Sequence, residues 1–410
     1  MQVGIESINV YAGPAVMDVQ ELFCARELDL KRFDNLMMRK KSVGLPCEDS
    51  VTYGVNAAKP IIDQLNESEK SQIKMVITGS ESGIDFGKSI STYIHDYLGL
   101  HRACRLFEVK QACYAGTAAL QMAACFLLSG ASPGAKVLVV ATDVARAAVK
   151  HTYAEPSQAV GAVAMLVSTD PKIIEFDFGA TGQHSYEVMD TCRPLPDIET
   201  GDPDLSLLSY LDCLEYSYRD YANKVENSDF LNTFDFLAFH TPFAGMVKGA
   251  HRTLVRRITK LDPDAIENDF QRRVTPSLSY CVQVGNIYSA TLYLALCSLI
   301  DHAQIDGLKR VGLFSYGSGC SSEFYSGVVS RESQLTLRRM EIQQNLEKRY
   351  PLSIEEYENV LNQNMKWLFG VRDQTVDFDG FKPIYEYFFQ GKNRLVLKCV
   401  REYHREYDWS

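Results

Sequence analysis

The sequence predicts an α/β fold made of two similar halves. Three observations carry that expectation. Short apolar, β-branched runs alternate with longer Ala- and Leu-rich runs, the pattern of covered, largely parallel sheets joined through helices. One helix–loop–strand unit recurs, since Cys113 lies 24 residues before Val137 and Asn286 lies 25 before Val311. Polar side chains capable of chemistry fall where apolar strands stop, which is where α/β sheets place their ligand crevice. A duplicated half implies a pseudo-twofold molecule with a site between the halves.

The elements follow in order. Residues 74–80 (KMVITGS) read as a buried strand, with Glu81 just past its C-terminal end. Residues 106–110 give a second strand. Residues 113–129 are a long apolar helix, stopped by Ser132-Pro133-Gly134. Residues 135–143 (AKVLVVATD) form another buried strand, and 159–169 close the first half. Residues 186–227 are rich in Tyr, Asp, Leu and Ser. Within them 205–221 has helical spacing, with Leu207, Leu208, Leu211 and Leu214 on one side, and reads as a helical insertion. Residues 236–239 are a short buried strand. Residues 288–300 repeat the apolar helix, and 310–316 repeat the strand that leads into Gly317-Ser318-Gly319. The charged tail from 330 to 366 reads as helical, and 394–407 as a strand with an amphipathic end. The expected division is 1–170 and 171–410, with no Gly/Ser-rich linker between.

Composition narrows the function. A hydrophobic content of 46% and a charged content of 23% fit a globular protein. No apolar run reaches the roughly 18–20 residues that cross a bilayer, and the N-terminus has no signal-peptide pattern, so no membrane association is expected. Eleven scattered cysteines without a C-x-x-C pair imply reduced thiols and a cytoplasmic location. Eight histidines without H-E-x-x-H spacing argue against a metal site. A net charge of −10 argues against nucleic acid, but not against an acidic partner on a local basic patch.

Three residues stand out. Cys113 sits where a strand stops and a helix starts. Helix N-terminal N–H groups and the helix dipole favour a thiolate there. Glu81, partly desolvated at a strand end, has the setting of a base with a raised pKa. His240 follows the strand 236–239, and Pro242 fixes the turn after it. Singly, each reads equally as an inert thiol, a helix cap and a structural histidine. Together, a nucleophile, a carboxylate and an imidazole at strand ends converge on one crevice. A Cys–His pair alone would suit a papain-like hydrolase. The glutamate points instead to carbon–carbon chemistry, because a thioester methyl group needs a base in a dry site to lose its proton.

The segments ESGIDFGKS, VKQACYAGTAALQ and HTPFAGMVKGAHR resemble signature segments of the 3-hydroxy-3-methylglutaryl-coenzyme A synthase family, as do GAVAMLVS, QVGNIYSATLYLAL and FSYGSGCSSEFYSG. RFDNLMMRKKSVGLPCEDSVTYGVNAAKPIID and EVMDTCRPLPDIETGDPDLSLLSYLDC are similar to its polyketide β-branching branch. The resemblance implies a thiolase-like fold, two halves in a five-layered αβαβα arrangement. It gives Cys113 the acyl-thioester role, Glu81 the general base and acid role, and His240 contact with the acceptor keto oxygen. It places Asn286, Tyr316 and Ser318 at the acyl pocket, Ser157 on the substrate tunnel and Lys248 near the phosphopantetheine entrance. Backbone N–H groups near Cys113 and Ser318 become expected oxyanion donors. Two departures are visible, a short 144–154 loop and Ala244 where relatives often carry Gly. The first bears on the tunnel mouth and so on acceptor choice, and neither touches the three catalytic positions.

The resemblance also implies partners. Lys248, Arg252, Arg256 and Arg257 cluster beyond His240 and would guide donor and acceptor acyl carrier proteins, whose phosphopantetheine arm, or coenzyme A, is the substrate carrier. The alternative is a solvated helix face balanced by Asp262, Asp264 and Glu267. No further cofactor is expected, and a homodimer is. The expected reaction joins an acetyl group, loaded on Cys113, to the β-keto carbon of a carrier-bound polyketide. Its alternatives are the coenzyme A version in isoprenoid metabolism, and a thiolase-fold carrier-protein scaffold without activity.

Overall fold

The structure, a computed structural model, describes residues 2–145 and 149–410. The core strands are β1 (Gly4–Tyr11), β2 (Ile73–Gly79), β3 (Arg105–Val109), β4 (Lys136–Val144), β5 (Val160–Ser168) and β6 (Ile174–Ser185). A small hairpin, β7 (Thr191–Leu195) and β8 (Ile198–Gly201), follows. The core then continues with β9 (Phe236–Phe239), β10 (Lys309–Gly317) and β11 (Ser321–Val329). Five helices matter most: α1 (Ser50–Asp63), α2 (Ala115–Leu128), α3 (Pro203–Lys224), α4 (Ala244–Ile258) and α5 (Thr291–His302).

Strand order across the sheet is β9-β10-β11-β6-β1-β5-β4-β2-β3. Read outward from the centre, β1-β5-β4-β2 on one side mirrors β6-β11-β10-β9 on the other. The strand senses match as well. β1–β5, β5–β4, β6–β11 and β11–β10 are antiparallel, whereas β4–β2 and β10–β9 are parallel. The halves touch through a short antiparallel link, Gly4 against Glu175 and Ile5 against Ile174. The duplication seen in the helix–loop–strand spacing is therefore a duplication of sheet topology, in a thiolase-like fold.

Two expectations change. The sheets are mixed, not largely parallel. β10 and β11 are joined by only Ser318 to Cys320, and a link that short permits only an antiparallel pair. The helical segment between the halves is α3, and it is no insertion. It packs on β6, β11 and β10 as α1 packs on β1, β5 and β4. Asp202 caps its first N–H groups and Pro203 presets its first turn.

α5 carries few polar residues because it lies inside, whereas α2 buries one face and leaves Met122 and Cys125 exposed on the other. α5 is buried from Thr291 to Ile300, and the start of α2 meets the loop before α5. Gly116 is needed there, since a Cβ would stand 2.4 Å from the Ser289 carbonyl oxygen. A second, aromatic core forms around α3, β9 and α4, where Tyr218, Phe230, Phe234 and Phe324 meet edge to face. The chain ends in an antiparallel hairpin, Leu395–Arg401 with His404–Trp409, in place of the expected amphipathic end. No described helix is long and apolar enough to cross a membrane. Residues 146–148 of the short 144–154 loop lie outside the described residues.

Candidate active site

β2 delivers Glu81 and the loop before α2 delivers Cys113. Cys113 Sγ lies 3.6 Å from Glu81 Oε2. Asp143, near the end of β4 and fully buried, fixes this end of the sheet. One of its oxygens accepts the Ser80 hydroxyl at 3.1 Å and the Glu81 N–H at 2.9 Å. The other accepts the Ser289 N–H at 3.0 Å and the Ser289 hydroxyl. One carboxylate thus ties the Glu81 turn of the first half to the α5 entry of the second.

β9 delivers His240 from the other side. Its N–H donates to the Phe314 carbonyl at 2.8 Å, and its carbonyl accepts the Tyr210 hydroxyl at 2.6 Å. The backbone is held, while the ring Nδ1 has no partner among the described residues. Burial pushes the imidazole down to about 3, so the ring is neutral at working pH. Asn286 Oδ1 accepts the Tyr288 N–H and the Thr291 hydroxyl, both at 2.9 Å, which closes the turn into α5. The Tyr316 hydroxyl donates to Asp190 at 2.6 Å, and the Gly319 N–H donates to the same carboxylate at 2.9 Å. Asp190 so hooks the β7–β8 hairpin onto the β10–β11 turn.

These residues face one cavity of about 720 Å³, lined by Glu81, Cys113, His240, Asn286, Tyr316 and Ser318, with Ser157 in its wall. The cavity suits an extended, partly apolar substrate. Among the described residues no cluster of His, Cys, Asp and Glu forms a metal cage.

The electrostatics differ from the expectation for Cys113. α2 begins only at Ala115, and carboxylates crowd the sulfur. Burial and Glu81, with Asp143 and Glu199 beyond, push the thiol well above its usual range. The resting group is therefore a thiol beside a base, not a helix-stabilised thiolate. Burial likewise pushes Glu81 up to about 7, opposed by Arg193 and reinforced by Asp143 and Glu199.

Arg193 and Asp143 escape the sequence analysis. Arg193 Nη2 is 3.3 Å from Glu81 Oε1, and its Nη1 donates to the Glu81 carbonyl at 3.2 Å. The lone signal was a basic residue placed among the acidic residues that run from Glu187 to Asp204. Lys248 stands apart from the cavity, its ammonium held by Glu267 at 2.8 Å over the Phe270 ring. Arg257 pairs with Glu215. Arg252 and Arg256 are exposed on α4 and make no ion pair among the described residues. The basic cluster is thus partly neutralised.

Family models for the N-terminal and C-terminal parts of hydroxymethylglutaryl-coenzyme A synthase match residues 1–172 and residues 174–265 and 253–373. The chain belongs to the hydroxymethylglutaryl-coenzyme A synthase family. It is 54% identical to the Bacillus subtilis polyketide biosynthesis 3-hydroxy-3-methylglutaryl-ACP synthase PksG, over 99% of both chains. It is 34% identical to the Enterococcus faecalis hydroxymethylglutaryl-CoA synthase, over 87% of this chain and 91% of that one. Its structure superposes on the curacin biosynthetic pathway HMG synthase with a TM-score of 0.97 at 56% identity, covering both chains in full. That synthase is also known in complex with apo, holo and acetyl donor-ACP. As a member of the family, the chain is an acyl-condensing enzyme of the acyltransferase type.

Proposed function

We propose that this chain is a polyketide β-branching synthase. It moves an acetyl group from a donor acyl carrier protein to Cys113 and joins the acetyl methyl carbon to the β-keto carbon of a carrier-bound polyketide. The observation that carries the reading is the 3.6 Å contact between Glu81 and Cys113 in a cavity that His240 also lines.

The chemistry runs in three steps. Glu81 takes the thiol proton as Cys113 Sγ attacks the donor thioester, and the pantetheine thiol leaves protonated. Acetyl-Cys113 carries no charge, so the crowded carboxylates no longer oppose it. Glu81, again ionised, removes a methyl proton, and the resulting carbanion adds to the keto carbon. His240, neutral and lining the cavity, hydrogen-bonds the keto oxygen as it becomes an alkoxide. The proton held by Glu81 returns to that oxygen. Water then cleaves the Cys113 thioester, which leaves a 3-hydroxy-3-carboxymethyl branch and a free thiol. Asn286, Tyr316, Ser318 and Ser157 line the acyl path.

Carrier proteins are favoured over coenzyme A because similarity is higher to the PksG and curacin enzymes than to the Enterococcus faecalis enzyme. The exposed face of α4, Arg252 and Arg256, is the proposed steering surface. A cytoplasmic homodimer is the proposed assembly. Its support is the sheet edge at β3 and the exposed Met122 on α2 beside it. The deciding experiment loads the protein with acetyl-carrier protein or acetyl-coenzyme A and follows intact mass. The carrier protein is expected to acetylate Cys113 faster at equal concentration. Faster loading from acetyl-coenzyme A would overturn the carrier assignment.

A further inference from the structure

Glu81 uses its two oxygens differently. Oε2 faces the Cys113 sulfur, and Oε1 faces Arg193 at 3.3 Å. Arg193 also holds the Glu81 backbone carbonyl at 3.2 Å. It is in turn gripped by Glu199, at 3.0 Å from Nη2 and 3.3 Å from Nε. The guanidinium lies over the Tyr288 ring, 5.2 Å from its centroid, and the Gln158 amide binds Glu199 from behind. All three charged side chains are nearly covered, Glu81 and Glu199 at 15% exposure and Arg193 at 13%. Arg193 and Glu199 come from the two strands of one hairpin, and Asp190 anchors that hairpin to the β10–β11 turn.

We infer that Arg193 and Glu199 form a positioning couple that aims Glu81 at Cys113 and sets the pH range in which Glu81 acts as a base. The inference rests on the reading of Glu81 as that base. Every element packed against Glu81 contributes a charged or titratable group. Cys113 faces it from the start of α2, Asp143 from β4, and Arg193 and Glu199 from the hairpin. Tyr288, His240 and Lys110 line the same cavity, and Glu108 and Asp85 stand behind the 81–85 turn. Of the cations, only Arg193 forms an ion pair with Glu81 among the described residues. Without it, a carboxylate buried beside two others and a thiol would hold its proton to higher pH. Glu199 has the opposite sign of effect. It draws the guanidinium toward itself and repels Glu81, so it tempers the pull of Arg193.

The couple therefore makes two predictions of opposite direction. Arg193→Met moves the acid limb of the condensation rate to higher pH by about one unit or more. That is a loss of about tenfold in rate at pH values below the limb. Glu199→Gln moves the limb to lower pH. Arg193→Lys, which keeps the charge and loses the fork, shows a smaller rise than Arg193→Met. Each variant is first acetylated with acetyl-carrier protein and quantified by intact mass. Condensation with acetoacetyl-carrier protein is then followed in single turnover from pH 5.5 to 9. Acetylation also uses Glu81, to take the thiol proton, so its acid limb is expected to move in the same direction.

An unmoved limb in Arg193→Met and Glu199→Gln, or a shift of both in one direction, overturns the inference. So does a parallel fall in acetylation and condensation that leaves the limb in place. If Arg193→Met does not fold, Arg193→Lys and Glu199→Gln still carry the test. Glu81→Gln keeps the two failures apart. Condensation at a normal rate by Glu81→Gln sinks the assignment of the base. An inactive Glu81→Gln with unmoved limbs elsewhere sinks only the Arg193–Glu199 couple.

Discussion

Replacing Glu81 with glutamine is expected to destroy condensation and at the same time to stabilise the protein, increasingly as pH rises from about 4.5 to 7. The folded protein holds Glu81 at about 7, against 4.5 for an ordinary glutamate, chiefly through burial. A raised carboxyl pKa favours the folded state fully below about 4.5, and that advantage is lost as pH rises through about 7. The gap is about 2.5 pH units, at about 1.36 kcal/mol each. Above pH 8 the ionised Glu81 therefore weakens the fold by about 3 kcal/mol relative to its neutral form. Glutamine has nearly the same shape and takes no charge, and Arg193 keeps Glu199 as its partner. An unfolding entropy of about 2.1 cal/mol/K per residue makes this gain about 4 °C in a chain of 410 residues. The assay is thermal unfolding of both proteins at fixed ionic strength from pH 4.5 to 8.5. The difference in Tm should be near zero at the acid end, grow between about pH 5 and 7, and level off above that. A difference of the same size at every pH would refute the electrostatic reasoning, since loss of packing alone does not titrate.

Other substitutions test other parts of the site. Cys113→Ser should remain folded and show no acetyl adduct by intact mass after exposure to acetyl-carrier protein. His240→Asn should lower condensation at every pH without moving the acid limb, because His240 stays neutral down to about 3; a moved limb would mean that His240 titrates in the working range. Asp143→Asn should cost about 3 kcal/mol in urea unfolding and impair acetylation and condensation together, because an amide cannot accept all the donors that now converge on Asp143. Gly116→Ala should destabilise by about 2 kcal/mol or more, since the new methyl would meet the Ser289 carbonyl oxygen at 2.4 Å; a neutral result would show that the α2–α5 contact yields easily.

Much of the fold was legible where strands are buried on both faces. β2, β4 and β5 read as apolar runs because helices cover them. β1, β6 and β11 did not. β1 mixes Glu, Ser and Asn with its apolar residues, β6 is largely half-exposed, and β11 starts Ser-Ser-Glu. Their pairing is fixed by neighbours distant in sequence, which no local pattern reports. Glu81, Cys113 and His240 were visible because each ends an apolar strand or starts an apolar helix. Arg193 was hidden because its meaning depends on a hairpin folding back over the β2 end. Asp143 looked like the last residue of a strand, and its partners Ser80, Glu81 and, 146 residues later, Ser289 are all distant from it in sequence. Lys248 and Arg257 show the reverse error. They are basic residues in a suggestive place whose charges are taken by Glu267 and Glu215.

Asp143 also sets the order in which the enzyme becomes competent during synthesis. The first half carries Cys113 and Glu81, yet the carboxylate that holds the Glu81 turn is itself held by Ser289. A nascent chain that has not reached Ser289 possesses both reactive groups without their fixed geometry. Catalytic alignment thus depends on the second half docking against the first, through the bonds that Asp143 makes to both.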